Sequence, residues 1–406
     1  MATTALREHP LPGPPALARL LEQVADGAAE RERALQPPFA AIDLVRETRL
    51  GALRIPVEDG GGGATLRQLF EVLIALAEAD SNVAHILRVH FSFVERLRSG
   101  FDADHRDRWT GLVNEGKIFG NAISEQNGRQ VGMGGLETML VPDPDGDGFR
   151  LNGEKFYSTG SLYSDWTQIY AMTPEGTIAA VTLPVDREGL SILDDWDGFG
   201  QRLTGTGTTR LDDVRVAPDE VVDFGLPEDL IAAPNIHGAF LQLYLQAVTV
   251  GALRAVRNDA VALVRRRRRS FSHSATESPA DDPQILQVVG EIAADAFAAE
   301  ATVLAAAERI ETAENSIVDG LPDPDLAEAA QLAAAQAKVA IDSFAPRAAS
   351  ALLDAGGASA TQASRNLDRH WRNIRTISTH NPTINKASAV GDFFVNGTPP
   401  PRNGFF

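Results

Sequence analysis

Residues 151–166 read "LNGEKFYSTGSLYSDW". The stretch is short, aromatic and interrupted by Gly, Ser and Asp, the texture of strands divided by turns. Its neighbours share it: "WTQIYAMTP" from 166, "GTIAAVTLPVD" from 176 and "TTRLDDVRVAPDEVV" from 208. Residues 118–230 are therefore expected to form an all-β unit, a barrel or a sandwich.

On both sides the hydrophobic period changes. "PALARLLEQVADGAAERERAL" (15–35) and "LRQLFEVLIALAEADSNVAHILRVHFSFVERL" (66–97) repeat apolar residues at helical spacing. The second follows the loop "IPVEDGGGGAT" (55–65), whose Thr65 is suited to cap it. Beyond 231 come three long alanine-rich stretches, 237–269, 283–314 and 324–357, each with an apolar stripe wide enough for a bundle. The expected fold class is α+β. A helical domain spans 1–117, a β domain 118–230, and a helical bundle with a tail 231–406.

The chain has 406 residues, 44% hydrophobic and 23% charged, enough for a large core and more than one compact unit. Its formal charge of −18 repels nucleic acid and anionic lipid. No nucleic-acid or membrane partner is expected. With no cysteine, disulfides, thiolate metal sites and cysteine nucleophiles are excluded. The start "MATTALREHPLPGPP" lacks a secretory pattern, no apolar run reads as membrane-spanning, and a cytoplasmic location is expected.

Several familiar motifs are missing. "GGGG" (60–63) lacks the Lys-Ser/Thr of a phosphate loop, and "GTGTTR" (205–210) is not a dinucleotide fingerprint. His85 and His90 are five apart, on different helix faces, and no spacing suits a metal. More informative are "FGNAISEQNG" (119–128) and the opening stretch. Asn121, Ser124, Ser158, Thr159 and Ser161 offer the neutral donors and acceptors that a flavin ring edge needs, although turns use the same residue types. "VRRRRRSF" (264–271) reads either as a solvated helix end or as a phosphate clamp. "RHWRNIRTISTHNP" (369–382) concentrates three arginines, two histidines and a tryptophan. It is either a basic structural helix or the wall of a site for an anionic aromatic cofactor.

With those motifs in hand, the chain resembles the acyl-CoA dehydrogenase superfamily over nearly its full length. "IPVEDGGGGAT" is similar to the family's Pro-Glu-x-x-Gly-Gly loop, and "GNAISEQNG" to its Leu-Thr-Glu-Pro segment. "LNGEKFYSTG" resembles Leu-Asn-Gly-x-Lys-x-Trp-Ile-Thr-Asn, "RRSF" resembles Arg-x-Gln-Phe, and "DAGGASAT" (354–361) resembles Gly-Gly-x-Gly. The resemblance implies an N-terminal helical domain, a middle β-barrel or sandwich and a C-terminal four-helix bundle. It also implies a homotetramer.

A dehydrogenase needs a carboxylate to remove the substrate α-proton. None lies between Asp368 and Asp392, nor in 240–256. "HWRNIRT…HNP", "HFSFVERL", "SEQNG" and "TGSLYSDW" instead resemble the two-component flavin monooxygenase branch, typified by dibenzothiophene monooxygenase. That branch implies reduced FMN, with FAD as the alternative, and a separate NAD(P)H:flavin reductase. Dioxygen would form a hydroperoxide at the flavin C(4a), which passes one oxygen atom to sulfur, nitrogen or aromatic carbon of a small organic substrate. By resemblance His90 and His380 would hydrogen-bond the peroxide, Ser161 would hold the ring and Asn127 would orient the substrate. Arg268, Ser270 and Phe271 would meet the phosphate, with Gly357 and Arg369 completing the cofactor site. Ile377 stands where the desulfurising member has a second histidine, which argues for a different substrate. Two rival readings are an FAD-dependent acyl-CoA dehydrogenase and an inactive flavin-binding scaffold.

Overall fold

A computed structural model describes residues 13–126, 135–227, 236–270, 272, 274–402 and 406. Seven helices come first: α1 (Pro14–Ala25), α2 (Ala28–Arg33), α3 (Phe39–Glu47), α4 (Leu66–Ala79), α5 (Ser81–Ile86), α6 (Arg88–Arg98) and α7 (Arg106–Asn114). Thr65 starts α4 as expected. Its hydroxyl accepts from the Gln68 N–H at 3.1 Å, and the Gln68 side chain accepts from the Thr65 N–H at 2.9 Å. The glycine run folds back on Ile55: a Cβ on Gly61 would stand 2.2 Å from the Ile55 carbonyl. That loop is a packed corner with no room for phosphate.

Eight strands follow: β1 (Phe119–Ala122), β2 (Met139–Pro142), β3 (Phe149–Lys155), β4 (Trp166–Met172), β5 (Ile178–Pro184), β6 (Leu190–Ile192), β7 (Thr209–Val216) and β8 (Val221–Asp223). They form one sheet in the order β6-β7-β3-β2-β4-β5-β8, with β1 parallel to β4. β7 alternates buried and exposed residues, because one face packs and the other meets water. β5 is buried almost throughout, so it is covered on both faces.

The remaining helices are α8 (His237–Arg266), α9 (Pro283–Glu314), α10 (Pro324–Gly356), α11 (Arg369–Ser378) and α12 (Thr383–Asn396). α8 is long and apolar enough to cross a bilayer, which corrects the sequence reading. In the fold 83% of its apolar window is buried between α4, α9 and α10. Leu69, Leu73 and Ile74 of α4 share one core with Val248, Leu253, Val303 and Leu352. Residues before and after the sheet thus build a single helical core. Gly251 allows the close approach, since its Cβ would lie 2.4 Å from Ala77.

Candidate active site

The sheet delivers a hydroxyl-rich loop to the α5–α6 junction. Gly160 has φ +83°, and a Cβ there would lie 2.4 Å from the Ile86 carbonyl at the end of α5. Only glycine permits this contact. The loop is tied down on its other side by Ser158 N–H to Gly207 O (3.1 Å) and Gly160 N–H to Thr204 O (2.9 Å). A buried ion pair anchors its root: Lys155 Nζ meets Glu125 at 2.5 Å. The loop also carries the one aromatic residue with positive φ among the described residues, Tyr157 at +59°. Its ring is 58% exposed and meets Trp196 edge-on at 6.1 Å. A bulky side chain held in the left-handed region costs free energy, and such strain concentrates at binding sites.

Across the junction, His85, Arg88, Ser92 and Arg96 follow one another at helical spacing along α5 and α6. His85 Nδ1 bonds the Gln201 side-chain oxygen at 2.9 Å. Gln201 Nε2 donates to Ser81 at 3.1 Å, so its oxygen accepts and His85 carries its proton on Nδ1. Burial and then Arg88 press the His85 pKa down to about 4. His237, at the start of α8, bonds the Ser92 hydroxyl and is pressed to about 3, by burial first.

His380 closes the site from the end of α11. Its side chain is solvent-accessible, yet surrounding protein and then Arg88, His85, Lys338 and Lys386 hold its pKa well below 6.5. Asn381 reaches Gln242 on α8 at 2.7 Å, and one turn further Gln246 Oε1 is a buried acceptor with no described partner. The end of α11 thus adjoins the amides of Asn381 and Gln242 and the imidazole and cations of His85, Arg88, Lys338 and Lys386.

The acyl-CoA dehydrogenase middle domain matches residues 120–214, and the acyl-CoA dehydrogenase C-terminal domain matches 243–383. FMN-bound TdsC from Paenibacillus sp. A11-2 superposes with a TM-score of 0.88 at 30% identity, covering 96% of this chain and 98% of that one. The chain belongs to the acyl-CoA dehydrogenase superfamily. Dibenzothiophene monooxygenase of Rhodococcus erythropolis is 29% identical, over 95% of this chain and 94% of its own. Methanesulfinate monooxygenase MsuC from Pseudomonas fluorescens superposes with a TM-score of 0.86 at 25% identity, covering 97% and 100%.

Within that superfamily frame, several expected site residues have other duties. His90 is a correction: it is fully buried, accepts from the Phe119 N–H through Nδ1 (3.2 Å) and bonds Gly51 O through Nε2 (3.1 Å). Both nitrogens serve backbone, and the histidine whose charge acts on His380 is His85. Ser161 donates to Asn121 O at 2.9 Å and fills the space a Cβ on Gly120 would need. Ser158 accepts from Thr209 (2.9 Å), and Thr159 is linked to Thr206 (2.9 Å). These hydroxyls brace the loop, while Tyr157 and Trp196 form its aromatic rim. The Ser124 carbonyl accepts from the Phe156 N–H at 2.8 Å, joining "SEQNG" to the same loop.

Arg369 is a second correction. It binds Asp259 (3.1 Å), which also meets His370 (2.8 Å), so it fastens α11 to α8. Arg268 is exposed just past α8, and Ser270 donates to Glu277 O at 2.9 Å. The arginine beside Gly357 is Arg267, with Nη1 3.8 Å from the position of a Cβ there. Among the described residues no hydrogen bond joins the arginine run to the Tyr157 loop. Asn127 and Phe271 lie outside the described residues.

Sequence reasoning missed His85, Arg88, His237 and Tyr157. The spacing of His85, Arg88, Ser92 and Arg96 was the available signal: polar residues recurring at helical intervals along α5 and α6.

Proposed function

We propose that this chain is a reduced-FMN-dependent monooxygenase that adds one oxygen atom of dioxygen to a small organic substrate and releases the other as water. The observation that carries this reading is His380: an exposed imidazole at the end of α11 whose pKa surrounding protein and then Arg88, His85, Lys338 and Lys386 hold well below 6.5. Removal of an α-proton requires a carboxylate base, and the sequence has none between Asp368 and Asp392 or in 240–256, where the dehydrogenases carry theirs.

Bound reduced FMN would supply the two electrons that activate dioxygen. The residues present suit it. Tyr157 and Trp196 offer an aromatic wall, the bonded loop 158–161 a rigid floor with Asn121 and Ser124 beside it, and the 265–269 run a phosphate partner. His380, neutral at working pH, can donate one hydrogen bond and accept another where oxygen reacts. Names of relatives support FMN as the cofactor: TdsC was crystallised with FMN bound.

Electrons would arrive as FMN already reduced by a separate NAD(P)H:flavin reductase. A homotetramer would bring the arginine run of one chain to the loop of another. The exposed Phe297 on α9 and Ile384, Phe394 and Val395 on α12 support such packing. A cytoplasmic location suits an enzyme that shares free reduced flavin. The test is to mix the protein with reduced FMN anaerobically, admit oxygen and follow flavin reoxidation and peroxide release. Delayed peroxide release relative to free flavin supports the reading. Unchanged release leaves a flavin-binding scaffold, and reduction of bound FAD by an acyl-CoA establishes a dehydrogenase.

A further inference from the structure

Arg88 is 9% exposed and lies on α6 against α8. Its Nε donates to Leu241 O at 3.1 Å. Among the described residues its other N–H groups have no acceptor, and no carboxylate pairs with it. The contrast with the rest of the molecule is plain. Arg54, also buried, is held by Glu95 and Glu314, and Lys155 by Glu125. Buried cations are normally paired, because an unpaired one is costly to keep.

What surrounds Arg88 gives it no internal relief. His85, His237 and His380 all feel its charge, and all are neutral or cationic groups. Tyr244 commits its hydroxyl hydrogen to Ala84 O at 2.8 Å. Arg88 therefore presents the planar fork that matches a carboxylate or sulfur oxyanion. Relatives' names do not decide the matter, since they span a neutral heterocycle and methanesulfinate.

We propose that Arg88 is a specificity residue that binds an anionic head group, a carboxylate or sulfinate, on the substrate. The inference rests on the monooxygenase reading for the word substrate, but the anion site can be tested without flavin. Flavin-free protein is titrated by calorimetry with benzoate, benzenesulfinate, methanesulfinate and neutral benzamide. The anions should bind roughly ten- to hundredfold tighter than benzamide, the range of a charged hydrogen-bonded contact. Whichever of carboxylate and sulfinate binds tighter identifies the head group.

Arg88→Met should remove that preference and leave benzamide unchanged, while Arg88→Lys should keep part of it. Reduced-FMN affinity should be the same in all three proteins. Equal binding of benzoate and benzamide to the wild type overturns the proposal, as does a preference that survives Arg88→Met. A parallel loss of FMN affinity would make Arg88 a flavin residue and also overturn it. The peroxide assay, run on the same wild-type protein, reports the monooxygenase reading separately.

Discussion

Replacing Arg88 with Met should stabilise the flavin-free protein. Burial presses the Arg88 pKa down from its ordinary value to about 10, chiefly by desolvation. The unfolded chain therefore holds this proton more tightly than the folded chain does. Below pH 10 both forms are charged and the full penalty is present; it fades only as pH rises above 10 towards the free arginine value. That depression corresponds to about 3 kcal/mol at neutral pH. Methionine forfeits one hydrogen bond to Leu241 O, worth about 1 kcal/mol. The balance is a gain of about 2 kcal/mol, read as a higher thermal midpoint and a shifted denaturation curve at pH 7. The same variant should lose substrate affinity, the usual opposition of stability and function at a binding site. A lower midpoint for Arg88→Met would refute the reasoning, because it would mean that the guanidinium is a paired structural element.

Other residues give distinct outcomes. His90→Ala removes bonds to two buried backbone groups and should cost roughly 2–4 kcal/mol in urea unfolding, yet the ratio of peroxide to product in folded protein should not change. His380→Ala should preserve the fold and FMN binding while diverting oxygen to peroxide, lowering product formation by ~10²–10⁴; unchanged coupling would reduce His380 to packing. Gly160→Ala places a Cβ 2.4 Å from Ile86 O at φ +83° and should displace the loop, seen as lost FMN binding in fluorescence titration. His85 and His90 have folded pKa values of about 4 against 6.5 as free groups. The unfolded chain therefore takes up protons first as pH falls below 6.5, and each residue withdraws up to about 3 kcal/mol by pH 4. Acid unfolding should fall in that window, and His90→Gln should shallow its pH slope by about one proton.

The order of helices, sheet and helices was legible because the hydrophobic period changes twice, and Thr65 announced its own cap. The site was legible only in part. His380 lies in a stretch whose composition stands out in an acidic chain. His90 misled because a helix periodicity shows which face a residue occupies, not whether its nitrogens meet backbone. Both of its partners, Gly51 and Phe119, are remote in sequence. Glu125 and Lys155 sit in two separate motifs, and only the folded sheet shows that each motif holds the other's charge. Nothing in the sequence singled out Arg88. Its importance is the lack of a partner, a property of three-dimensional surroundings that spacing does not carry. The basic helix α11 shows the reverse: Arg369, Arg372 and Asn373 are engaged by Asp259, Glu32 and Ser81, so most of that conspicuous charge is structural.

The central claim is that the site around His380 directs oxygen from reduced FMN. The most direct measurement is peroxide release, time-resolved, after oxygen is admitted to anaerobic protein with reduced FMN, comparing wild type with His380→Ala. The account predicts release that lags flavin consumption in the wild type and matches the free-flavin rate in the variant. Identical immediate release from wild type, variant and free flavin would contradict it.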